Sequence, residues 1–159
     1  MPLPPMISFF HKPLMISLEV PDGWARARHP AVREVLTPLV ERGLVATCAV
    51  IDLEILYSTR NGESHAVGRS VRQGFEWLPM TDEIGSRAIE VQALLAQKGH
   101  HRSASVPDLL IAATAERHGA TVLHCDADFD TIAAVTGQPV RWVVPRGDAE
   151  KWDQQARRP

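Results

Sequence analysis

Residues 105–119 read SVPDLLIAATAERHG, and this stretch decides the fold because it predicts a buried helix. Ser105 or Val106 stands at the N-cap, a proline suits the first turn, and Gly119 suits the residue after the last turn. Nearly every position between these ends is apolar, and a helix that is apolar all round lies inside a protein. Asp108 is therefore a carboxylate at the start of a buried helix. Two interpretations of Asp108 are open: an acid favoured by the helix dipole, or a metal ligand that needs other carboxylates nearby.

The next stretch supplies further carboxylates. Residues 120–125 read ATVLHC, a short run typical of a strand, and Asp126, Asp128 and Asp130 follow at once. In parallel α/β sheets, sites lie beyond the carboxyl ends of the strands and beside the N-termini of helices. We therefore expect Asp108, Asp126 and Asp128 to share one rim of the sheet. Asp130 is expected in the next helical turn, where it would help to cap the helix.

Strands and helices alternate along the rest of the chain. Apolar runs predict a first strand at residues 15–20 and a second at 44–46, and apolar stripes of helical period predict helices between the strands. This order predicts an α/β fold with a mostly parallel central sheet. We expect one domain over residues 15–145, a proline-rich disordered leader over residues 1–14, and a polar, frayed C-terminal tail over residues 146–159.

Glu54 is the most informative acid outside the two stretches above. It lies in a predicted helix from residue 47 or 48 to about residue 60, beside Val50 and Ile51. It is either an acid at the edge of the apolar stripe or a base or ligand aimed at the rim, and the other acids favour the second interpretation. Asp52 turns to another face of this helix and is expected to be solvated. Carboxylates that crowd together need a cation, and ligands that are all oxygen favour Mg²⁺ or Mn²⁺.

Bulk composition excludes several classes of protein. The 159 residues are 45% hydrophobic and 23% charged. The formal net charge is −2, so the chain lacks the overall positive charge that would by itself indicate nucleic-acid binding. No apolar run is long enough to span a membrane, and the N-terminus lacks the apolar segment of a signal peptide. Cys48 and Cys125 have no metal-type spacing, and we interpret them as buried thiols of a cytoplasmic protein.

Histidines carry a weaker signal. His100, His101 and Arg102 predict an exposed basic loop near the mouth of the site, where it could meet phosphates. His124 is interpreted as a packed strand residue rather than as a base.

Two of these stretches carry a resemblance to a known family. Residues 107–115, PDLLIAATA, and residues 123–130, LHCDADFD, together resemble the last two motifs of PIN-domain ribonucleases, and above all of VapC toxins. The resemblance implies a PIN-like α/β/α sandwich and a toxin that hydrolyses RNA with Mg²⁺ or Mn²⁺. Asp108 and Asp126 would be ligands. Glu54 fills the second acidic position of the family, and Glu54 and Asp128 would ligate directly or through water, or position the nucleophile.

The resemblance also implies partners. These are an RNA substrate, a small VapB-like antitoxin and a second copy of the chain in a homodimer. The C-terminal segment of the antitoxin would wrap around a groove and place a basic side chain against the acids.

The first strand departs from the family pattern. PIN domains normally end this strand with an aspartate, and here that position falls at Val20, which cannot bind Mg²⁺. Glu19 points to the opposite face of the strand, whereas Asp22 has the same parity as Val20 and could turn toward the rim. Three explanations are open: Asp22 is a substitute ligand, the protein binds its antitoxin without efficient cleavage, or the sequence contains a local reading-frame error.

Overall fold

A single parallel sheet organises the chain. The computed structural model describes residues 12–17 and 29–156. Within these residues the strands are β1 (Leu14–Ser17), β2 (Val45–Thr47), β3 (Glu76–Trp77), β4 (Thr121–His124) and β5 (Val140–Trp142). Their order is β3-β2-β1-β4-β5, and all the pairs are parallel. Ser17 pairs with His124, so β1 and β4 end at the same edge, where the strand order reverses. This is the position at which α/β sheets form their sites.

Helices cover both faces of this sheet. They are α1 (Pro30–Glu41), α2 (Ala49–Tyr57), α3 (Gly62–Arg72), α4 (Asp82–Gln97), α5 (Val106–His118), α6 (Ala127–Thr136) and α7 (Asp148–Ala156). The predicted α/β class is confirmed. Helix α2 ends earlier than residue 60, because the hydroxyls of Ser58 and Thr59 donate to the carbonyls of Ile55 and Leu56 in its last turn.

Two apolar cores show that the architecture has three layers. Successive residues of a strand point to opposite faces, and Met15 lies in one core while its neighbours Leu14 and Ile16 lie in the other. The first core packs α2, α4, α5 and α6 on one face. The second packs α1 and α7 on the opposite face. The predicted α/β/α sandwich is therefore confirmed.

Helix α5 is the buried helix that the sequence predicts. Ser105 is its N-cap, and Gly119 ends it with φ +64°, a conformation that glycine adopts without strain. Its middle, from Ile111 to Ala115, is fully or almost fully buried. Since its side chains are apolar in every direction, the helix contacts α4, α6, α2 and β4. This packing holds the first turn of α5 in one place at the edge of the sheet.

The C-terminal segment differs from its prediction. Asp148–Ala156, a part of the expected frayed polar tail, form α7, which packs on the second core. Ala149 is buried, and Trp152 stacks on His29 at the start of α1, with ring centroids 3.4 Å apart. An alanine and a tryptophan one helical turn apart are enough to give a polar segment one apolar face.

Other expectations concern the N-terminus, the thiols and membranes. Val20, Asp22 and most of the predicted leader lie outside the described residues. Cys48 and Cys125 are buried and free of disulfides, as predicted. No helix within the described part of the chain combines the length and the apolar character needed to cross a bilayer.

Candidate active site

Asp108 has two carboxylate oxygens with different surroundings. Its Oδ2 accepts a hydrogen bond of 2.8 Å from the backbone N–H of Ser105, while the hydroxyl of Ser105 accepts one of 3.2 Å from the N–H of Asp108. This reciprocal capping box satisfies two helix donors. The other oxygen, Oδ1, is buried and has no hydrogen-bond partner among the described residues. A structural role at the N-terminus of α5 therefore accounts for one oxygen of Asp108 and leaves the second available.

Asp126 and Asp128 lie where β4 turns into α6. Asp126 is the N-cap, and its Oδ1 accepts a hydrogen bond of 2.9 Å from the N–H of Asp128. Burial raises the pKa of Asp128 to about 6, and the charges of Asp126 and then Asp108 contribute to this. The raised pKa shows that the carboxylates of β4–α6 and of α5 share one electrostatic environment.

Glu54 joins this group from α2. It is half-buried. Burial raises its pKa, and the negative charge of Asp108 raises it further. The structure therefore places Glu54, Asp108, Asp126 and Asp128 as electrostatic neighbours, with Asp108 coupled to both Glu54 and Asp128. We call these four residues the acidic cluster.

The acidic cluster is not a preformed cage. Over residues 12–17 and 29–156, no three His, Cys, Asp or Glu side chains are arranged as ligands of one ion. Asp22, the fifth predicted ligand, lies in the part of the chain that is not described. The ligand roles of these acids therefore stay predictions. Asp108 Oδ1 is nevertheless buried without a hydrogen-bond partner among the described residues. A buried carboxylate oxygen needs a hydrogen-bond donor or a cation to offset the loss of its hydration.

Ser17 is a neighbour that the sequence did not single out. It ends β1, pairs with His124 of β4, and is buried with its hydroxyl unpartnered in the described structure. A serine at the end of the central strand was a usable signal, because that position faces the rim where the strand order reverses.

Asp52 corrects one expectation. It is not solvated, since it pairs with Arg72 of α3 and accepts a hydrogen bond of 2.5 Å from the hydroxyl of Thr47. Arg72 also donates to the Thr47 hydroxyl over 3.2 Å. The side chain of Arg72 is only 9% exposed, so these contacts connect α2, α3 and the end of β2 in a partly buried network.

Asp130 lies in the first turn of α6, as predicted, but it is not the cap of this helix. Asp126 is the N-cap, and Asp130 Oδ2 accepts a hydrogen bond of 3.1 Å from the indole N–H of Trp142. His124 is fully buried against Trp142, as expected of a packed strand residue. Burial lowers the pKa of His124, although the Asp126 backbone and the Asp130 charge oppose this. Its Nε2 lies 3.7 Å from Asp130, too far for a hydrogen bond.

The basic loop has the predicted exposure. His100, His101 and Arg102 are exposed between α4 and α5, just before the N-cap Ser105. This position is near the first turn that carries Asp108. A role of the loop in contacting phosphates stays a prediction.

Comparison with known proteins places this geometry in a family. Residues 24–135 match the PIN domain. The chain is 50% identical over 125 residues to ribonuclease VapC21 of Mycobacterium tuberculosis, which covers 78% of this chain and 91% of that protein. It is 47% identical over 122 residues to ribonuclease VapC51 of the same organism, over 77% of this chain and 88% of the relative.

Solved structures show the same fold at low sequence identity. DNA-bound VapBC from Salmonella typhimurium matches with a TM-score of 0.65 and 16% identity, over 84% of this chain and 99% of the matched chain. VapBC2 from Rickettsia felis, bound to a promoter DNA fragment, matches with a TM-score of 0.62 and 18% identity. With its parallel sheet, a PIN-domain match over residues 24–135 and relatives that are about 50% identical over the aligned residues, the chain belongs to the PIN-domain family, in the branch of the VapC proteins.

Proposed function

We propose that this protein is an endoribonuclease that requires Mg²⁺ or Mn²⁺ and acts as the toxin of a type II toxin–antitoxin pair. The observation that carries the proposal is the buried, unpartnered Oδ1 of Asp108 within a cluster of coupled carboxylates. Support for RNA as the substrate comes from the relatives named ribonucleases, which share about half of the aligned residues.

The residues fit a divalent cation. All four side chains of the acidic cluster offer hard oxygen ligands, which Mg²⁺ and Mn²⁺ prefer. Burial raises the pKa of Glu54 and of Asp128, and neighbouring carboxylates raise both further, so a cation at this place would favour their charged forms. Asp108 and Asp126 would hold the ion, with Glu54 and Asp128 beside it.

The reaction is hydrolysis of a phosphodiester. Water attacks phosphorus, the bond from phosphorus to the leaving oxygen breaks, and that oxygen takes up a proton. A cation held by Asp108 and Asp126 would supply positive charge against the phosphodiester and would favour deprotonation of a nearby water. The carboxylates of Glu54 and Asp128 would accept hydrogen bonds from the attacking water and orient it toward phosphorus. Because packing holds the first turn of α5 in place, Asp108 keeps a constant position relative to Glu54 and Asp128.

Metal dependence is the direct test of this function. We expect the purified wild-type protein to cut single-stranded RNA when Mn²⁺ or Mg²⁺ is added. We expect chelation with EDTA to lower the rate by roughly 10²–10³-fold, because the loss of Lewis-acid stabilisation costs several kcal/mol. Cleavage is measured on a labelled transcript by gel electrophoresis. Cutting that persists unchanged in EDTA would contradict a metal-dependent mechanism.

An apolar groove beside Glu54 suits the antitoxin. It has a volume of about 510 Å³ and is lined by Leu53, Glu54, Leu56, Tyr57 and His65. Leu53 and Tyr57 are 68% and 93% exposed, and large exposed apolar side chains at one place mark a binding surface. We propose that an amphipathic segment of a VapB-like antitoxin lies here, with a basic side chain toward Glu54. A homodimer and a cytoplasmic location remain further proposals.

Val20 favours a second candidate function. A valine at the expected position of the first-strand acid predicts a PIN-fold protein that binds its antitoxin but cuts RNA poorly. We expect Val20→Asp to raise Mn²⁺ affinity by on the order of tenfold, the size of effect typical of one group that supports a metal site, and to raise the cleavage rate with it.

If Asp22 already replaces the missing ligand, Asp22→Ala should lower the Mn²⁺ affinity by a similar factor. Calorimetric titration with Mn²⁺ measures both, and unchanged affinity in Asp22→Ala would remove that residue from the site.

A further inference from the structure

A second cavity lies beside Asp52 of α2, which is two residues from Glu54 and therefore faces another way around the helix. It has a volume of about 250 Å³, and Leu56 lines both this cavity and the apolar groove. Besides Asp52 and Leu56, its walls come from the end of α3 and from β3 at the edge of the sheet, with Arg69, Arg72, Gln73, Phe75 and Trp77. We call it the aromatic-basic cavity. It is smaller than cavities that enclose drug-sized ligands, so its size suits one planar ring.

One wall of the aromatic-basic cavity is rigid. Arg72 is held by Asp52 and by the hydroxyl of Thr47, and its guanidinium lies 5.8 Å from the ring centroid of Phe75. These contacts neutralise the charge of Arg72 and use two of its guanidinium N–H groups inside the protein. Arg72 therefore shapes the cavity and is not available as a partner for a ligand.

Two other groups in this cavity are available. Trp77 is 54% exposed, although it lies in a strand beside the buried Thr47. Arg69 is exposed, and within residues 12–17 and 29–156 no carboxylate pairs with it. An exposed indole and an unpaired guanidinium beside one cavity offer a flat apolar face and a positive charge together. Single-stranded nucleic acids present the complementary pair, a base and a phosphate.

We propose that the aromatic-basic cavity holds one unstacked base of the RNA substrate against Trp77, with an adjoining phosphate paired to Arg69. Proteins recognise single-stranded RNA by stacking splayed bases on aromatic rings while basic side chains follow the backbone. A helix is about 10 Å across with its side chains, so a strand that crosses α2 from the acidic cluster reaches this cavity within a short length of chain. This inference rests on the ribonuclease function proposed above and adds a binding subsite remote from the cleaved bond.

RNA binding can be measured apart from cleavage. The probe is a short fluorescein-labelled oligouridylate, titrated with metal-free protein in EDTA and followed by anisotropy. We expect Trp77→Ala to weaken binding by about tenfold, the typical effect of one base–aromatic stack, and Trp77→Phe to keep most of the affinity. We expect Arg69→Ala to reduce the slope of log affinity against log salt by about one, as for one lost phosphate contact. In cleavage assays with added Mn²⁺, both alanine variants should raise KM and leave kcat within about twofold, since neither residue touches the reacting atoms.

Matched controls lie elsewhere on the surface. Ile89 on α4 is 70% exposed, and Arg33 on α1 is exposed. Neither lines the cavity, so Ile89→Ala and Arg33→Ala should leave the oligouridylate affinity unchanged. Unchanged binding in Trp77→Ala would overturn the subsite while wild-type cleavage still supports a ribonuclease. A wild-type protein that neither binds nor cuts RNA would overturn both the proposed function and the subsite.

Discussion

Asp108→Asn is expected to lower kcat/KM for RNA cleavage by roughly 10²–10³-fold, because it removes a charged ligand that supplies several kcal/mol through the cation. Asp108 Oδ1 is buried and unpartnered, whereas its Oδ2 accepts from the Ser105 N–H. An asparagine oxygen can keep this capping bond, while its amide replaces the unpartnered oxygen with a group that repels a cation. The loss should therefore fall on metal binding and catalysis rather than on the fold. The measurements are the cleavage rate on a labelled RNA and a calorimetric Mn²⁺ titration.

Stability and a matched variant separate this effect from misfolding. Asp82 also stands in the first turn of a helix, α4, but it is exposed and outside the acidic cluster. Asp82→Asn should change cleavage and Mn²⁺ affinity little. In metal-free protein, Asp108→Asn should unfold at no lower urea concentration than wild type, because it removes one buried charge that repels Glu54 and Asp128. Cleavage within tenfold of wild type in Asp108→Asn would exclude Asp108 from the catalytic machinery.

Phe129→Ala is expected to lower the free energy of unfolding by about 3–5 kcal/mol, the usual cost of removing a fully buried phenylalanine. Phe129 has 0% exposure and is the largest fully buried side chain among the described residues. Its ring centroid lies 5.4 Å from that of His124, so it joins α6 to the end of β4. The cavity left by alanine would also loosen the turn that carries Asp126 and Asp128. Urea unfolding followed by circular dichroism measures the change.

Two control variants test whether the loss of stability in Phe129→Ala comes from the buried ring. Phe129→Leu keeps most of the apolar volume and should cost clearly less than alanine. Ile89→Ala, at a 70% exposed position, should stay within about 0.5 kcal/mol of wild type. A loss below about 1 kcal/mol for Phe129→Ala would contradict the packing of α6 against the sheet, because cavity formation at a well-packed site costs more.

Local patterns were sufficient for the parts of the fold that depend on neighbours in sequence. Ser105 and Asp108 have the three-residue spacing of a capping box, and Gly119 takes the positive φ that ends α5. An apolar stretch with such ends predicts a buried helix wherever it occurs. The acids after β4 were predicted at the edge of the sheet because the carboxyl ends of all strands in a parallel sheet lie at the same edge.

Contacts between distant residues were outside the reach of such patterns. Asp52 was expected in solvent, but Arg72, which is twenty residues later, pairs with it at the end of β2. Asp130 lies in the expected helical turn, but instead of helping to cap α6 it accepts a hydrogen bond from Trp142 of β5. Part of the predicted polar tail forms α7, in which Trp152 stacks on His29 at the start of α1. In each case the missing information was which partner the fold brings alongside.

The sequence by itself determined the class of fold and the buried helix α5, because propensity, capping and strand direction act over a few residues. Together with the family resemblance it indicated Glu54, Asp108, Asp126 and Asp128 as candidate site residues. Only the tertiary structure decided the surroundings of those acids. Packing of α2, α5 and α6 around one edge of the sheet buries Asp108 Oδ1 without a partner and couples its charge to Glu54 and Asp128. Burial and distance between remote segments set that electrostatic state, and neither is encoded in any single stretch of the chain.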